Sequence, residues 1–331
     1  MTFLYDADAE RGAEWAALFA ERAPEIAFHY CADAVDSRSV KYLGVWHPPT
    51  DISAKYPNLE VLFSLGAGGD QFDFDALPAG LPVVRMIEPG ISDAMAEYVT
   101  LAVLALHRDL LAYRVQQAGG DWQPLRFRPP GALRIGVLGT GVLAKTSLSA
   151  LQPFGFQLNA WSRSRQSIGG VECFAGKAEM DKFLSQSDIL VCLLPLTSKT
   201  AGILNGALFA KLPPGAAIVN CGRGGHLVQA DLLVALDSGR LSGAVLDVTD
   251  PEPLPADHPL RLHERVLLTP HVASMTQPET AVEVVIDNIR RHQAGQPLIG
   301  LVDRHRGYGG KTSRKKRRRT AVPLRTGPRL P

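Results

Sequence analysis

A short glycine-rich segment in the middle of the chain constrains the fold more than any other feature. The apolar stretch Leu133–Leu138 leads into Gly139-Thr-Gly-Val-Leu-Ala144, after which the pattern becomes helical. A strand, a GxGxxA turn and a helix predict a βαβ unit whose turn accommodates a pyrophosphate at the helix N-terminus, where free N–H groups favour anions. The segment therefore predicts a dinucleotide site contacted by Gly139, Gly141, Val142 and Leu143, with Ala144 packing the helix closely on the strand.

Apolar runs alternate with helical patterns on both sides of this turn. Before it, the predicted strands are Phe3–Tyr5, Ala27–Tyr30, Leu43–Trp46, Leu59–Leu65 and Val83–Met86. From the turn onwards they are Leu133–Leu138, Phe156–Trp161, Ile189–Leu194, Ala217–Asn220, Ala244–Val248 and Val266–Thr269. Such alternation predicts an α/β fold with two doubly wound parallel sheets, because nearly continuous apolar strands are buried on both faces.

The helical stretches are predicted from their apolar spacing and end signals. The longest runs from about Ala94 to about Gln117, capped by Ser92-Asp93 and ended by Gly119-Gly120. The others singled out are Ala13–Arg22, Ala207–Leu212, Ala230–Asp237 and Gln277–Gln293.

Composition excludes several classes of protein. The 331 residues are 46% hydrophobic and 21% charged, which suits two globular domains and excludes a mainly disordered chain. Four scattered cysteines without a CxxC pair exclude a disulfide scaffold and predict reduced thiols in the cytoplasm. The N-terminus lacks the pattern of a secretory signal, and the apolar runs are far shorter than the ~20 residues of a membrane span.

The charge is distributed unevenly along the chain. Residues 311–331 contain nine Lys/Arg and no Asp/Glu, so the remaining 310 residues carry 26 basic and 33 acidic side chains, a net charge of −7. We expect this basic tail to be a disordered extension, because it is too poor in apolar residues to form a core. A targeting segment or a nucleic-acid patch is the alternative, and only the tail suggests nucleic acid at all.

The end of the strand Phe156–Trp161 indicates which dinucleotide binds. An NAD site commonly places a carboxylate about 20 residues after the glycines to hold the ribose 2′-hydroxyl. This chain instead has Ser162, Arg163, Ser164 and Arg165. Arginine binds phosphate through charge-assisted hydrogen bonds, so the segment predicts NADP(H), with NADH less favoured and a solvated basic loop as the structural alternative.

Three ionisable residues follow strands at the edge where ligands of open α/β sheets bind. Arg223, Glu252 and His271 lie beyond the predicted strands that end at Asn220, Val248 and Thr269. An arginine can hold a substrate carboxylate, a histidine can supply a proton at neutral pH, and a carboxylate can orient that histidine. The three together predict a site that reduces a 2-oxo acid, although arginine and histidine are also common in loops.

Several other polar residues have a structural interpretation. Asp247 at a strand end either contacts the nicotinamide amide or stabilises a turn, and the pattern leaves both open. His226, His258 and His263 are expected at the surface or behind the site, and Cys192 and Cys221 are expected to pack in or beside buried strands. No spacing suggests a metal site.

These motifs together resemble the D-isomer-specific 2-hydroxyacid dehydrogenases, over nearly all of the chain up to Tyr308. The most specific segments are Gly139–Ala144, Leu194–Thr200, Asn220–Gly224, Leu246–Pro253 and Pro270–Ala273. Within the family the chain is most similar to the reductases of glyoxylate and hydroxypyruvate, in Val45–Pro49, Leu65–Gly68, Trp161–Arg165 and Val302–Tyr308.

The resemblance implies a reaction and its residues. Small 2-oxo acids would be reduced with NADPH, glyoxylate to glycolate and hydroxypyruvate to D-glycerate. His271 would be the acid/base, Glu252 its partner and Arg223 the carboxylate-binding residue. Backbone N–H groups around Ala67 and Gly68 would also bind the carboxylate, and Trp46 would line the pocket. Further residues implied at the cofactor are Leu194, Pro195, Thr200, Cys221, Gly222, Arg223 and Asp247.

The resemblance also implies an architecture and an assembly. A Rossmann dinucleotide domain, residues 94–283, would be inserted in a flavodoxin-like substrate domain formed by residues 1–93 and 284–310. The long predicted helix and the loop of Trp122 would form a homodimer, and no membrane would be involved.

Two alternative functions stay open from the sequence. The protein could be another enzyme of the family, of the D-lactate or phosphoglycerate type, or a dinucleotide-sensing protein resembling the corepressors related to this family.

Overall fold

The computed structural model describes residues 1–31, 35–69, 71–304 and 308–309, and its N-terminal part forms a five-stranded parallel sheet. The strands are β1 (Thr2–Asp6), β2 (Ala27–Tyr30), β3 (Val40–Val45), β4 (Val61–Ser64) and β5 (Val83–Val84), with helices α1 (Ala9–Arg22) and α2 (Ile52–Lys55). Their order, β2-β1-β3-β4-β5, is that of flavodoxin-like sheets.

Two consecutive helices follow where the sequence predicted one. They are α3 (Pro89–His107) and α4 (Leu110–Gly119). The predicted cap at Ser92-Asp93 is wrong, because the carboxylate of Glu88 accepts the N–H of Ile91 and the helix begins at Pro89. The continuous helix is also wrong. Asp109 adopts a left-handed conformation with φ of 55°, which aspartate tolerates better than most residues, and it separates α3 from α4.

The second sheet has seven parallel strands. They are β6 (Arg134–Leu138), β7 (Gln157–Ser162), β8 (Glu172–Ala175), β9 (Ile189–Cys192), β10 (Ala216–Asn220), β11 (Leu241–Leu246) and β12 (Val266–Leu268), with helices α5 (Val142–Leu151), α6 (Gly176–Ser185), α7 (Gly206–Phe209) and α8 (Gln229–Asp237). The order β12-β11-β10-β9-β6-β7-β8 is the Rossmann order extended by one strand. The predicted α/β class with two doubly wound parallel sheets is confirmed.

One strand and one helix of this sheet lack a clear sequence signal. In the edge strand β8 only Phe174 is buried, so its pattern is not that of a central strand. Helix α6 carries charged residues along most of its length and buries Phe183 and Leu184. Both elements owe their conformation to packing beside β7, which local pattern does not reveal.

The chain crosses between the two sheets twice, before α3 and before the last helix, α9 (Pro278–Gln293), which packs on α1. A short antiparallel pair, β13 (Val302–Asp303) and β14 (Tyr308–Gly309), follows. Buried apolar clusters cover both faces of each sheet. The domain boundaries proposed after residues 93 and 283 remain predictions, and the basic tail, residues 311–331, lies outside the described residues.

Helix α3 has the length and the apolar composition of a membrane-spanning helix. In the structure its residues Val99, Ala102 and Val103 are buried against the second sheet and α5. This burial identifies it as a core helix.

A polar contact joins the N-terminal ends of β6 and β9. The Asp188 carboxylate accepts hydrogen bonds from the backbone N–H, Nε and Nη2 of Arg134, each at 2.9 Å. Burial raises the pKa of Asp188, but the hydrogen bonds from Arg134 lower it more, so the carboxyl pKa lies below its usual value. The contact therefore stabilises the folded protein whenever the carboxylate is ionised.

We predict that Asp188→Asn lowers the free energy of unfolding at pH 7 by about 1.5–3 kcal/mol, the range for hydrogen bonds to charged groups. Because the pKa is lower in the folded protein, the contribution is complete above the ordinary carboxyl pKa of 3.8 and disappears as the pH falls through the folded value. Urea unfolding at pH 7 and pH 3 measures this. The control is Asp181→Asn, which removes an exposed pair with Lys211 and should change little; equal effects of the two substitutions at pH 7 would contradict the assignment.

Candidate active site

The predicted functional residues of the second sheet lie at one edge, because parallel strands end on the same side. Gly139 directly follows β6, Asp247 directly follows β11, and Arg223 and His271 are each three residues beyond β10 and β12. The structure thus brings the glycine-rich turn and the three loops with ionisable residues to the carboxyl edge, where ligands of such sheets bind.

The Asp247 carboxylate organises the loop that carries His271. Oδ1 accepts hydrogen bonds from the Thr269 hydroxyl at 2.7 Å and from the Val272 N–H at 2.8 Å, and Oδ2 accepts from the Ala273 N–H at 2.9 Å. The backbone oxygen of Asp247 also accepts the N–H of His271 at 2.8 Å. Of the two interpretations left open by the sequence, this geometry supports the turn, and contact with the nicotinamide remains a prediction.

His271 and Glu252 form a directly bonded pair. The distance from His271 Nδ1 to Glu252 Oε2 is 2.8 Å, and the other carboxylate oxygen accepts the N–H of Thr249 at 3.0 Å. The carboxylate is therefore oriented by the backbone and in turn orients the imidazole. His271 has a φ of 56°, an unfavourable conformation for a residue other than glycine, and such residues cluster at functional sites. Its Nε2 has no hydrogen-bond partner among the described residues and can meet a ligand.

The loop that carries Arg223 packs tightly on the loop of Glu252. A Cβ on Gly224 would lie 1.8 Å from the backbone oxygen of Thr249, so only glycine allows this approach. Buried His226 accepts the backbone N–H of Arg223 on its Nδ1 at 3.0 Å. Arg223 Nη1 donates to the oxygen of Gly222 at 2.8 Å. The sequence expectation that His226 stands behind the site agrees with this contact.

The glycine-rich turn fits a dinucleotide. Gly139 has φ of 118°, and its Cβ would lie 2.9 Å from the oxygen of Leu193. By contrast, a Cβ on Gly141 would meet no atom within 4 Å, and Gly141 precedes the first residue of α5. This leaves open space over free N–H groups at a helix N-terminus, which suits a pyrophosphate. Val142 is exposed beside it, Leu143 is partly buried and Ala144 is buried under the turn.

The remaining residues predicted at the cofactor lie on neighbouring loops. Leu194 and Pro195 follow β9, and the Thr200 hydroxyl closes their loop by donating to the oxygen of Pro195 at 2.7 Å. Cys221 is buried beside β10, and burial raises its pKa well above the usual value and that of Cys192 to about 12. Both cysteines are therefore neutral thiols in the core, as expected from sequence.

The segment at the end of β7 contains a contact that the sequence did not reveal. The Arg165 side chain donates to the oxygen of Cys173 at 3.0 Å and pairs with the carboxylate of Glu179 on α6. Ser162 donates to the oxygen of Ser164 at 2.7 Å. The Ala175 N–H and the Arg165 side chain lower the pKa of Glu179 below its usual value, although burial opposes them. Because α6 was not predicted, neither was this competing carboxylate.

Residues predicted at the substrate follow strands of the first sheet. Trp46 comes directly after β3 and packs so closely on Gly66 that a Cβ there would lie 2.7 Å from its ring. Ala67 and Gly68 follow β4. The segment after His271 reaches this region, because Thr276 donates to the oxygen of Leu65 at 2.6 Å and Ser274 to that of Ile91 at 2.7 Å. The segment that continues from His271 is thus hydrogen-bonded to the region of the first sheet that contains Trp46, Ala67 and Gly68.

A cleft of about 770 Å³ lies beside Trp46, with walls from α1 and from Met275 to Pro278. Its lining does not include Arg223, Glu252 or His271. Among the residues that the structure describes, no group of His, Cys, Asp and Glu side chains could hold a metal ion.

Comparison with known proteins assigns this architecture. The model of the D-isomer specific 2-hydroxyacid dehydrogenase NAD binding domain matches residues 100–273, more than half of the chain. The chain belongs to the D-isomer specific 2-hydroxyacid dehydrogenase family. Glyoxylate/hydroxypyruvate reductase A of Yersinia enterocolitica is 43% identical over 279 residues, which are 82% of this chain and 89% of that protein. The resemblance to this family and to this type of reductase, predicted from the sequence, is confirmed.

Solved structures of the family superimpose closely on this dehydrogenase. One from Xanthobacter autotrophicus Py2, in complex with NADPH and MES, has a TM-score of 0.88 and 36% identity, covering 93% of this chain and 99% of that one. The NADPH-dependent glyoxylate/hydroxypyruvate reductase of Sinorhizobium meliloti, in complex with NADP and sulfate, has a TM-score of 0.86 and 34% identity, with the same coverage.

We predict that Gly141→Ala separates dinucleotide binding from folding in this dehydrogenase. The added methyl meets no protein atom, and φ of −70° is ordinary for alanine, so the melting temperature of the free protein should not fall. The methyl occupies the space for the pyrophosphate and should raise the dissociation constant for NADPH at least about tenfold, or 1.4 kcal/mol. Fluorescence titration and thermal melting measure the two effects.

The matched control is Gly139→Ala, which places the methyl against backbone at positive φ and should lower the melting temperature. Unchanged NADPH affinity in folded Gly141→Ala protein would show that the pyrophosphate does not cross this turn.

Proposed function

We propose that the protein reduces small 2-oxo acids with NADPH, glyoxylate to glycolate and hydroxypyruvate to D-glycerate. The observation that carries the proposal is the 2.8 Å contact between His271 Nδ1 and Glu252 at the carboxyl edge of a Rossmann sheet. Arg223 lies on the adjoining loop. The similarity to the Yersinia and Sinorhizobium reductases supports these two substrates.

The substrate carboxylate is held from both sides of the interdomain region. Arg223 binds it with charge-assisted hydrogen bonds and places its positive charge near the neighbouring carbonyl. Backbone N–H groups around Ala67 and Gly68 bind the same carboxylate from the first sheet. Trp46, 40% exposed at the end of β3, lines the pocket and favours small substrates. Two-sided binding orients the carbonyl before reaction.

His271 is the acid that protonates the reduced carbonyl oxygen. NADPH supplies the hydride when it is bound. Negative charge then develops on the substrate oxygen, and a protonated His271 donates the proton from Nε2. Glu252 on Nδ1 holds the ring in place and compensates the positive charge that it carries before transfer. In the reverse direction, the same neutral nitrogen accepts the hydroxyl proton of the 2-hydroxy acid.

NADPH is the proposed cofactor, with NADH less favoured. Ser162 ends β7, and Arg163, Ser164 and Arg165 follow it at the place where NAD sites present a carboxylate to the ribose. The structures of relatives from Xanthobacter and Sinorhizobium contain NADPH and NADP. In this chain Arg165 must share its charge between Glu179 and a 2′-phosphate, whereas Arg163 lies closer to β7.

The proposed assembly is a cytoplasmic homodimer formed through α3, α4 and the loop of Trp122. Apolar side chains on this surface are exposed in the single chain, with Trp122 94% and Phe127 57% exposed. A second copy would cover them. The two domains would be residues 1–93 with 284–310 and residues 94–283. Any binding of nucleic acid would involve only the basic tail.

We predict that replacing Arg163 and Arg165 together by Ala raises the Michaelis constant for NADPH about tenfold or more, since each charge-assisted hydrogen bond is worth about 1.5–3 kcal/mol. The constant for NADH should change little, because NADH has no 2′-phosphate. Steady-state kinetics with both cofactors checks this. Glu179→Gln is the control in the opposite direction: it frees Arg165 and should lower the constant for NADPH. Equal losses with both cofactors would contradict the assignment.

Variants of the three central residues test the reaction itself. His271→Ala should lower kcat by about 10²–10⁴-fold, the usual contribution of general acid–base catalysis, while NADPH affinity persists. Glu252→Gln should lower kcat less, because the ring keeps a hydrogen-bond partner but loses its carboxylate. Arg223→Ala should abolish most reduction of glyoxylate and hydroxypyruvate. The turnover of the wild-type protein should also be measured on a panel of 2-oxo acids. If the protein reduces none of them, the proposed function is refuted.

A further inference from the structure

Arg85 lies next to the proposed carboxylate loop but belongs to no sequence motif. It directly follows the edge strand β5, and its Nη1 donates to the backbone oxygen of Ala67 at 3.1 Å. Its own N–H donates to the oxygen of Gly300 at 3.0 Å. The guanidinium therefore contacts the loop after β4 from the side of the protein body.

Three consecutive backbone oxygens of this loop are fixed by the protein. The oxygen of Gly66 accepts the N–H of Met86 at 2.9 Å, that of Ala67 accepts Arg85, and that of Gly68 accepts the hydroxyl of Ser64 at 2.9 Å. In a planar trans peptide the C=O and the following N–H point in opposite directions. Each fixed oxygen therefore turns the next N–H, those of Ala67, Gly68 and Gly69, away from its partner.

These three N–H groups have no acceptor among the described residues. Ala67 and Gly68 are partly exposed, so their N–H groups can reach a ligand. Successive backbone N–H groups without internal acceptors can form a concave site that binds anions. Arg85 fixes the middle peptide of the three, the one between Ala67 and Gly68.

The charge of Arg85 is not compensated within the described structure. No carboxylate of the described residues pairs with Arg85, and its Nε is buried without a hydrogen-bond partner. Burial lowers the pKa of Arg85 from its ordinary value, yet a guanidinium stays charged in proteins. Arg85 is partly buried, and a partly buried cation that lacks a counterion is destabilising until an anion binds nearby.

Arg240 shows how an arginine with a purely structural role uses its donors. Arg240 donates to the oxygens of Phe209, Ala210 and Leu212 and ties one turn together. Arg85 makes only one such side-chain bond within the described residues. A purely structural arginine in a partly buried position would use more of its five donors, so the position of Arg85 is better explained by a negative ligand on the adjoining loop.

We propose that Arg85 is a positioning residue for the substrate carboxylate: it orients the peptide between Ala67 and Gly68 and supplies positive charge behind it. Arg223 then binds the carboxylate directly, while Arg85 acts through the loop. The inference rests on the proposed function, since it assumes that the ligand is a small carboxylate. It places a determinant of affinity for anionic substrates on the first sheet.

The test measures binding of oxalate, a small dicarboxylate that cannot be reduced, to the NADP⁺-bound protein by calorimetry. Arg85→Gln keeps a donor for Ala67 but removes the charge, and Arg85→Met removes both. We expect the dissociation constant for oxalate to rise about tenfold or more in Arg85→Gln and further in Arg85→Met, by loss of a charged interaction. Arg85→Lys keeps the charge and should recover most of the affinity.

Kinetics separates positioning from general structural damage. In Arg85→Gln the KM for glyoxylate should rise by a similar factor, whereas kcat and the dissociation constant for NADPH should change by less than about threefold, because His271 and the dinucleotide turn are untouched. Arg240→Met, the matched control, should lower the melting temperature without changing oxalate affinity. If Arg85→Gln does not fold, Arg85→Met and Arg85→Lys provide the same comparison.

Outcomes for the inference and for the proposed function are distinguishable. If the wild-type protein binds oxalate but reduces no 2-oxo acid, the proposed function is refuted. The role of Arg85 can then still be measured by oxalate binding. If folded Arg85→Gln and Arg85→Met bind oxalate as tightly as the wild-type protein does, the inference about Arg85 is overturned, while the proposed function stands. Absence of oxalate binding in the wild-type protein, or equal losses in the Lys, Gln and Met variants, would also overturn it.

Discussion

The buried carboxylate of Asp247 connects the Rossmann sheet to the loop that carries His271. It directly follows β11 and accepts one hydroxyl and two backbone N–H groups from the segment that begins at Thr269. A carboxylate bound in this way costs little to bury, because the donors replace its lost hydration. The same contacts hold His271 at its positive φ, with Nδ1 toward Glu252. The proposed acid/base pair, His271 with Glu252, therefore depends on a residue that need not touch the substrate.

The segment after His271 carries this order to the first sheet. Thr276 binds the loop after β4, and the carboxylate of Glu88 accepts the Ile91 N–H of α3 and the Thr280 hydroxyl of α9. Both chain crossings between the sheets thus meet at one carboxylate. Loops from the two sheets can close on a small acid while each stays attached to a rigid strand, which is the arrangement that positioning of a substrate requires.

The sequence predicted the parts that depend on local pattern. Apolar strands such as Ile189–Cys192 are buried on both faces and are recognisable without the structure. The glycine-rich turn and the order Arg223, Glu252, His271 could be located because their spacing relative to the strands is short. The break at Asp109 and the cap by Glu88 were missed, since a left-handed residue and a carboxylate cap have weaker signals than Gly or Ser-Asp.

Contacts between distant segments account for the remaining differences. Glu179 pairs with Arg165 across α6, a helix whose charged sequence gives it little apolar pattern. The function of Asp247 stayed open because its donors lie 22 to 26 residues further along the chain. Arg85 was not singled out at all, as its contact with Ala67 depends on how β4 and β5 pair.

A crystal structure of the protein with NADP⁺ and oxalate would test this arrangement of the site directly. We expect the pyrophosphate over Gly141 and oxalate between the two sheets. One carboxylate should accept hydrogen bonds from Arg223 and from N–H groups of Ala67 and Gly68, with His271 Nε2 within hydrogen-bond distance of the oxygen that mimics the carbonyl. Oxalate bound away from Arg223 and His271, or a dinucleotide outside the glycine-rich turn, would contradict it.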